Sequence, residues 1–248
     1  MPAVSVRTAA AAVAFLTRVP VGIRLDGADV ARAVPLFPLV GAGIGALTGG
    51  VAVLLHPALP SFLAAAIALA AAVVVTGALH VDALADTFDA LGAGTRERAL
   101  EIMRDPGIGT FGATAIVLDL LIKAGAIAVL LEEGGALAAL VAAGALSRAA
   151  SAPLAAVLPY PRAEGGPGSV LTGLVGPVAA AAAVLVAAGI AVLVDGVNGA
   201  IAAGAAGAVV VLLALVYRRW LGGATGDCLG AATELTETMA LVVAAALA

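Results

Sequence analysis

The chain is a succession of apolar runs, each about 20 residues long, broken by short polar turns. Runs of that length match the thickness of the hydrocarbon core of a bilayer. A helix satisfies its own backbone hydrogen bonds in that medium, whereas an open sheet edge does not. The runs lie near residues 38–57, 61–79, 112–131, 136–157, 170–194, 198–217 and 229–248. They predict an all-α, polytopic integral membrane bundle of about seven spanning helices, with one domain over residues 1–248. Hydrophobic residues make up 63% of the chain and charged residues 11%, against roughly 25% charged in soluble domains.

The breaks carry turn chemistry: His56-Pro57 to Pro60, Glu132 to Gly135, Pro159 to Gly168, Asp195 to Gly199, and Gly222-Gly223. Alanine and glycine dominate the runs, so helices are expected to pack closely through small residues, and such faces permit a homodimer. Residues 1–22 mimic a signal peptide, with Arg7 before a short apolar run, but Thr17-Arg18-Val19-Pro20 stands where a small-residue cleavage site would lie. The segment reads as amphipathic or half-inserted. The single cysteine, Cys228, makes no internal disulfide and reads as a packing residue. A net charge of −4 points away from nucleic acid; the expected surroundings are membrane lipid.

Basic residues set the expected orientation. With a cytoplasmic N-terminus, Arg7, Arg18, Arg24, Arg32, Arg96, Arg98, Arg104, Arg162, Arg218 and Arg219 all fall on the cytoplasmic side, ten of the twelve Lys and Arg. The opposite loops hold His56, Glu132, Glu133 and Asp195. Every motif-like segment, over residues 80–110, 159–168 and 218–237, then faces the cytoplasm from a multi-pass protein of the cell membrane.

The chemistry concentrates in HVDALADTFDALGAGTRERALEIMRDPGIGTFG, which begins at His80. Asp82, Asp86 and Asp89 are spaced i, i+4, i+7 and share one helix face. If the second span continues through Asp89, they crowd its C-terminal end, where the helix dipole disfavours negative charge. A hard divalent cation with oxygen ligands offsets that cost; Mg²⁺ or Mn²⁺ suits the site better than zinc. The alternative is a solvated acidic face partnered by Arg96 and Arg98. A second acidic segment, GGATGDCLGAATELTETMAL, places Asp227 after a glycine-rich turn and Glu234 and Glu237 inside an apolar run. Carboxylates within a membrane helix default to function.

Lys123 lies four residues after Asp119 in the third span, which reads as an intramembrane pair, while Arg148, beside Ser147, is placed to face a phosphate. Arg104 and Asp105 precede Pro106-Gly107-Ile108-Gly109, a turn able to offer backbone N–H groups to an anion. Metal-holding carboxylates flanked by arginines and glycine turns form a phosphoryl-transfer constellation. From the residues alone, the chain is a membrane enzyme making or cleaving a phosphodiester.

HVDALADTFDA, RERALEIMRDPGIGTFG and GGATGDCLGAATELTE resemble the signatures of the cobalamin synthase family, the adenosylcobinamide-GDP ribazoletransferases. FLTRVPVG (15–22) and FPLVGAGIGAL (37–47) resemble that family's opening segments, and the likeness spans nearly the whole chain in the family's order. Two departures are Ala83 and Ala90, where the pattern has glycine after the first and third aspartates. The resemblance implies Mg²⁺-dependent attack of α-ribazole, or its 5′-phosphate, on adenosylcobinamide-GDP, with release of GMP. The resulting assignment puts Asp82, Asp86, Asp89, Asp227 and Glu234 on the metal. It puts Asp89, Arg104 and Asp105 in catalysis, and His80, Arg18, Arg104, Arg148 and Arg162 on substrate. The corrin is expected over the loops at 18–35 and 159–168. A CDP-alcohol phosphotransferase and a cation transporter remain the alternatives; the former's arginine after Asp82 is missing, and transport would favour internal repeats.

Overall fold

The structure, a computed structural model, describes residues 5–162, 164, 165 and 168–248. Residues 163, 166 and 167, part of the loop expected beneath the corrin, lie outside the described residues. The described chain is helical, with no strands among the described residues. In order the helices are α1 (Val6–Leu16), α2 (Gly27–Ala33), α3 (Phe37–Leu55), α4 (Ser61–Thr76), α5 (Leu79–Asp89) and α6 (Arg96–Ile102). They continue with α7 (Thr110–Glu132), α8 (Ala136–Val157), α9 (Ser169–Leu174), α10 (Pro177–Trp220) and α11 (Gly226–Leu247).

The N-terminal segment is tied down by charge. Asp26 and Asp29 form a reciprocal capping box at the start of α2. The buried Asp29 carboxylate also accepts from Arg7 Nε at 2.9 Å and from Arg32. α1 is therefore docked on α2, and its buried face, Ala11, Ala12 and Leu16, joins the core around Phe37. Phe15 stacks on Phe37 with ring centroids 5.4 Å apart.

α8 is the most buried of the spans and α3 lies along it. The reason is in the sequence: a Cβ added to Gly41 would stand 2.1 Å from the Gly144 carbonyl oxygen, so only glycine lets the two backbones meet.

Five helices are long and apolar enough to cross a membrane, or six if the bent pair α4–α5 counts as one span. That count takes the 44-residue α10 as one helix, so it does not confirm the exact number of about seven. The run at 61–79 stops at Thr76, and the runs at 170–194 and 198–217 fall mostly within one 44-residue element, α10. That element breaks at Gly196 (φ 55°, ψ −127°). A Cβ on Gly199 would stand 2.0 Å from the Ala191 carbonyl oxygen. Those residues would be roughly 12 Å apart along a straight helix, so the chain folds back on itself there.

A correction concerns the acidic helix. Gly77 (φ 63°) and Ala78 (φ 58°) both adopt left-handed backbone, and α5 leaves α4 at 93°. Ala78 is the one non-glycine residue with positive φ among the described residues, a conformation that costs an L-residue about 1 kcal/mol or more. A helix turned through a right angle does not simply prolong the one before it, so α5 is a separate helix with its own first turn. Asp82 consequently sits in the first turn of its own helix, where the dipole favours it, and not at the end of a long span.

The bundle has two chemically different ends. At one, Ser61 Oγ hydrogen-bonds His56 and Glu132. At the other, Arg96, Arg162 and Arg218 donate to the carbonyls of Pro161, Leu100 and Val157.

Candidate active site

At the arginine-rich end, α5, α8 and α11 converge on a cavity of about 260 Å³. α5 supplies His80 and Asp82, α8 supplies Arg148 and Ser151, and α11 supplies Asp227 and Thr233. Asp227 is placed by Thr225, whose side chain accepts from Cys228 N–H and caps α11. Gly230 lets α5 press against α11, since a Cβ there would stand 2.4 Å from the Ala83 methyl. Phe15, Leu16, Leu171 and Leu229 complete apolar walls.

The carboxylates feel one another. Partial burial, followed by the charges of Asp227, Asp82 and Asp89, pushes the Asp86 carboxyl up to about 7. The nearby opposing cation is Arg162, whose Nη2 lies 3.8 Å from Asp227. Among the described residues, no three His, Cys, Asp or Glu side chains form a set able to hold a metal ion. Mg²⁺, however, is commonly bound by one or two carboxylates, with waters and substrate phosphates filling the other positions. Asp82 and Asp227 facing one cavity, with Asp86 destabilised beside them, are a donor set that fits such a cation.

A family model for cobalamin-5-phosphate synthase matches residues 8–245. The chain belongs to that family. It is 37% identical over 238 residues to an adenosylcobinamide-GDP ribazoletransferase of Klebsiella pneumoniae subsp. pneumoniae, covering 94% of this chain and 96% of the relative. It is 38% identical over 239 residues to the enzyme of the same name from Escherichia coli K12, with the same coverage. No solved structure matches. Membership sets aside both the lipid-phosphotransferase and the transporter readings: this is a transferase of cobalamin biosynthesis.

Against that family background, several expected site residues stand elsewhere. Glu234 is not grouped with Asp82 and Asp227. It is buried in the bundle against Lys123, which also lies 3.0 Å from Asp119. In this arrangement the Lys123 ammonium holds the Glu234 carboxylate. Asp89 turns away to α7, where its oxygens accept from the N–H groups of Gly109 and Gly112 at 2.7 and 2.8 Å. Asp105 accepts from Gly107 N–H, shaping the local turn, and Arg104 pairs with Glu164 on the exposed surface. Neither lines the cavity. Arg18 lies over Gly77, and its backbone N–H donates to Val75. It braces the α4–α5 bend and is not among the cavity residues.

Arg148 does line the cavity, but its Nη1 is shared by Ser147 and Glu237 at 2.8 Å each. Glu237, seen in the sequence as an intramembrane acid, thus has a definite partner. Ser151, which the sequence places beside Arg148, lines the cavity as well, and so do Thr233 and Phe15, which carry no sequence signal of a site. Ser151 stands about one turn from Arg148 on α8.

Proposed function

We propose that this protein joins α-ribazole, or α-ribazole 5′-phosphate, to the cobinamide-bearing phosphate of adenosylcobinamide-GDP. The products are adenosylcobalamin, or its 5′-phosphate, and GMP. The reading is supported by the activity for which the relatives are named. The observation that carries it is the meeting of Asp82 and Asp227, from different helices, with Arg148 in one cavity.

In this reaction the acceptor hydroxyl oxygen attacks the cobinamide-side phosphorus. The phosphoanhydride bond to GMP breaks and GMP leaves with the electron pair. The hydroxyl proton passes to a carboxylate of the acidic group. Arg148 and Arg162 bind phosphoryl oxygens, for which the planar guanidinium is well matched. Mg²⁺ held by Asp82 and Asp227, with Asp86 beside them, would neutralise the pyrophosphate and stabilise the departing GMP. Asp82, in the first turn of α5, and Asp227, in the first turn of α11, are both held on rigid helix starts. Such preorganisation carries most of phosphoryl-transfer catalysis. The site faces the cytoplasm of a cell-membrane protein, in keeping with the positive charge at that end.

The test is release of GMP from adenosylcobinamide-GDP by purified protein in detergent, with each acceptor, in Mg²⁺ and in chelator. Release that needs both acceptor and Mg²⁺ is expected. Release unaffected by chelation would remove the metal from the mechanism, and no release would remove the reaction.

A further inference from the structure

A groove of about 410 Å³ on the bundle shares no lining residue with the cavity. Val13 and Thr17 of α1, Val40, Gly43 and Leu47 of α3, and Val75 of α4 line it. The lining is apolar apart from the Thr17 hydroxyl, which donates to the Val13 carbonyl of its own helix. From Leu39 to Leu47 the groove follows α3 for roughly 12 Å. The space in front of Gly43 is open, since a Cβ added there would meet nothing within 4 Å.

Arg18 closes one end of the groove. It follows Thr17 directly, its backbone N–H donates to the Val75 carbonyl at 2.8 Å, and its side chain lies across Gly77. The residue is exposed, and among the described residues its guanidinium has no hydrogen bond or ion pair. The same holds for the guanidinium of Arg24. Val19 and Ile23, between the two arginines, are 50% and 44% exposed, so apolar and basic groups share one surface. Other arginines at this end are engaged by the protein itself: Arg7 and Arg32 by Asp29, Arg98 by Glu101, and Arg218 by the Val157 carbonyl. A second apolar hollow, of about 240 Å³ between α8 and α10, has no charged side chain in its lining.

We propose that the groove holds one anionic phospholipid of the leaflet at the arginine-rich end. An acyl chain lies along Gly43 and Ile44. The phosphodiester meets the Arg18 guanidinium, whose planar fork matches two phosphate oxygens. Arg24 adds to the attraction at the surface. A free phosphate leaves the apolar slot empty, and a lipid of no net charge gains little from a second cation. The lipid bears on α1, which turns Val13 and Thr17 to the groove and Phe15 and Leu16 to the cavity. It steadies one wall of the active site from outside, whichever substrates the cavity takes.

Native mass spectrometry of the full-length, delipidated protein in detergent tests this. The first copy of phosphatidylglycerol should be retained about fivefold more tightly than phosphatidylcholine. Arg18→Gln should remove most of that preference, and Gly43→Leu, which fills the slot, should weaken retention of both lipids. Gly207→Leu stands in the hollow between α8 and α10, where an added Cβ also meets nothing within 4 Å, and should leave the preference as it is. Glycerol 3-phosphate at the same concentration should displace no lipid. Equal retention of the two lipids by the wild type, an unchanged preference in Arg18→Gln, or equal effects of the two leucines overturns the proposal. Displacement by glycerol 3-phosphate would show an anion site without a lipid slot, and displacement by adenosylcobinamide-GDP would return Arg18 to the substrate; either overturns it as well. Should a variant fail to fold, the wild type decides. Phosphatidylglycerol with a photoreactive acyl chain should label residues 39–47 in preference to 203–211, and the reverse or an even pattern sinks the site.

Discussion

The carboxylate of Asp89 clasps the start of α7, its Oδ1 accepting from Gly112 N–H at 2.8 Å while its Oδ2 accepts from Gly109. An anion at a helix N-terminus meets both free N–H groups and the positive end of the dipole. Asp89→Ala should cost about 2 kcal/mol. Gly112→Ala should also destabilise, because its Cβ would stand 2.4 Å from an Asp89 oxygen and 2.8 Å from the Ala85 carbonyl. Thermal unfolding in detergent checks both. A wild-type melting temperature for Asp89→Ala would show that the clasp contributes nothing.

Asp86 links pH to stability. Its carboxyl is pushed up to about 7 in the fold, against about 3.9 unfolded. Between those values the folded state binds more protons than the unfolded, so stability falls as pH rises through that window. Asp86→Asn removes the ionisable group. In metal-free buffer the variant should match wild type near pH 4 and pull ahead up to about pH 7. Above that it should stay ahead by a few degrees, discounted for the solvent-facing side of the carboxylate. Turnover should be lost. A constant melting difference from pH 4 to 8 would contradict this.

Lys123 faces Asp119, Glu234 and Glu237 inside the bundle. Lys123→Met leaves those carboxylates with Arg148 as their neighbouring cation, and should cost roughly 3–5 kcal/mol. Adding Glu234→Gln should recover part of the loss. Yield of monodisperse protein and melting temperature report both; a double variant no better than the single one would argue against a compensating pair.

Close approach of α3 and α8 rests on Gly41 and Gly144. Gly41→Leu should break their packing, whereas Gly43→Ala, with no atom within 4 Å of the added methyl, should be neutral or slightly stabilising. Comparative melting curves decide, and equal effects would remove the packing argument.

Orientation can be read with an impermeant thiol reagent, because Cys228 is buried and should stay silent. Arg98→Cys should label only from the cytoplasmic side and Glu133→Cys only from the other. The reverse pattern would invert the bundle.

Much of the framework was legible because apolar length reads directly as a span. The runs at 112–131, 136–157 and 229–248 correspond to α7, α8 and α11 within a few residues. The pairing of Asp119 with Lys123 was legible as well, being i, i+4 on one helix. The bend after Thr76 was not, because Ala78 carries no turn signal and adopts its left-handed backbone only under tertiary constraint. The ion pair of Glu234 was not legible, because an intramembrane acid reads as functional by default. Its partner Lys123 lies 111 residues away, a separation no local pattern reveals. The clasp made by Asp89 was hidden for the same reason: Gly109 and Gly112 come to it from the start of a different helix.

Ala224 N–H donates to the Pro159 carbonyl at 3.0 Å and Arg218 to the Val157 carbonyl at 3.1 Å, so the exit from α8 is stitched to the approach to α11. Arg162 and Leu171 belong to the site; beyond them the folded-back α10 is an excursion whose two ends are sewn together beside the cavity. Its outer arms can therefore lengthen, shorten or change their lipid-facing composition without carrying Asp227 away from Arg148. The chemistry and the fit to a particular bilayer are set by separate stretches of sequence, free to drift at different rates.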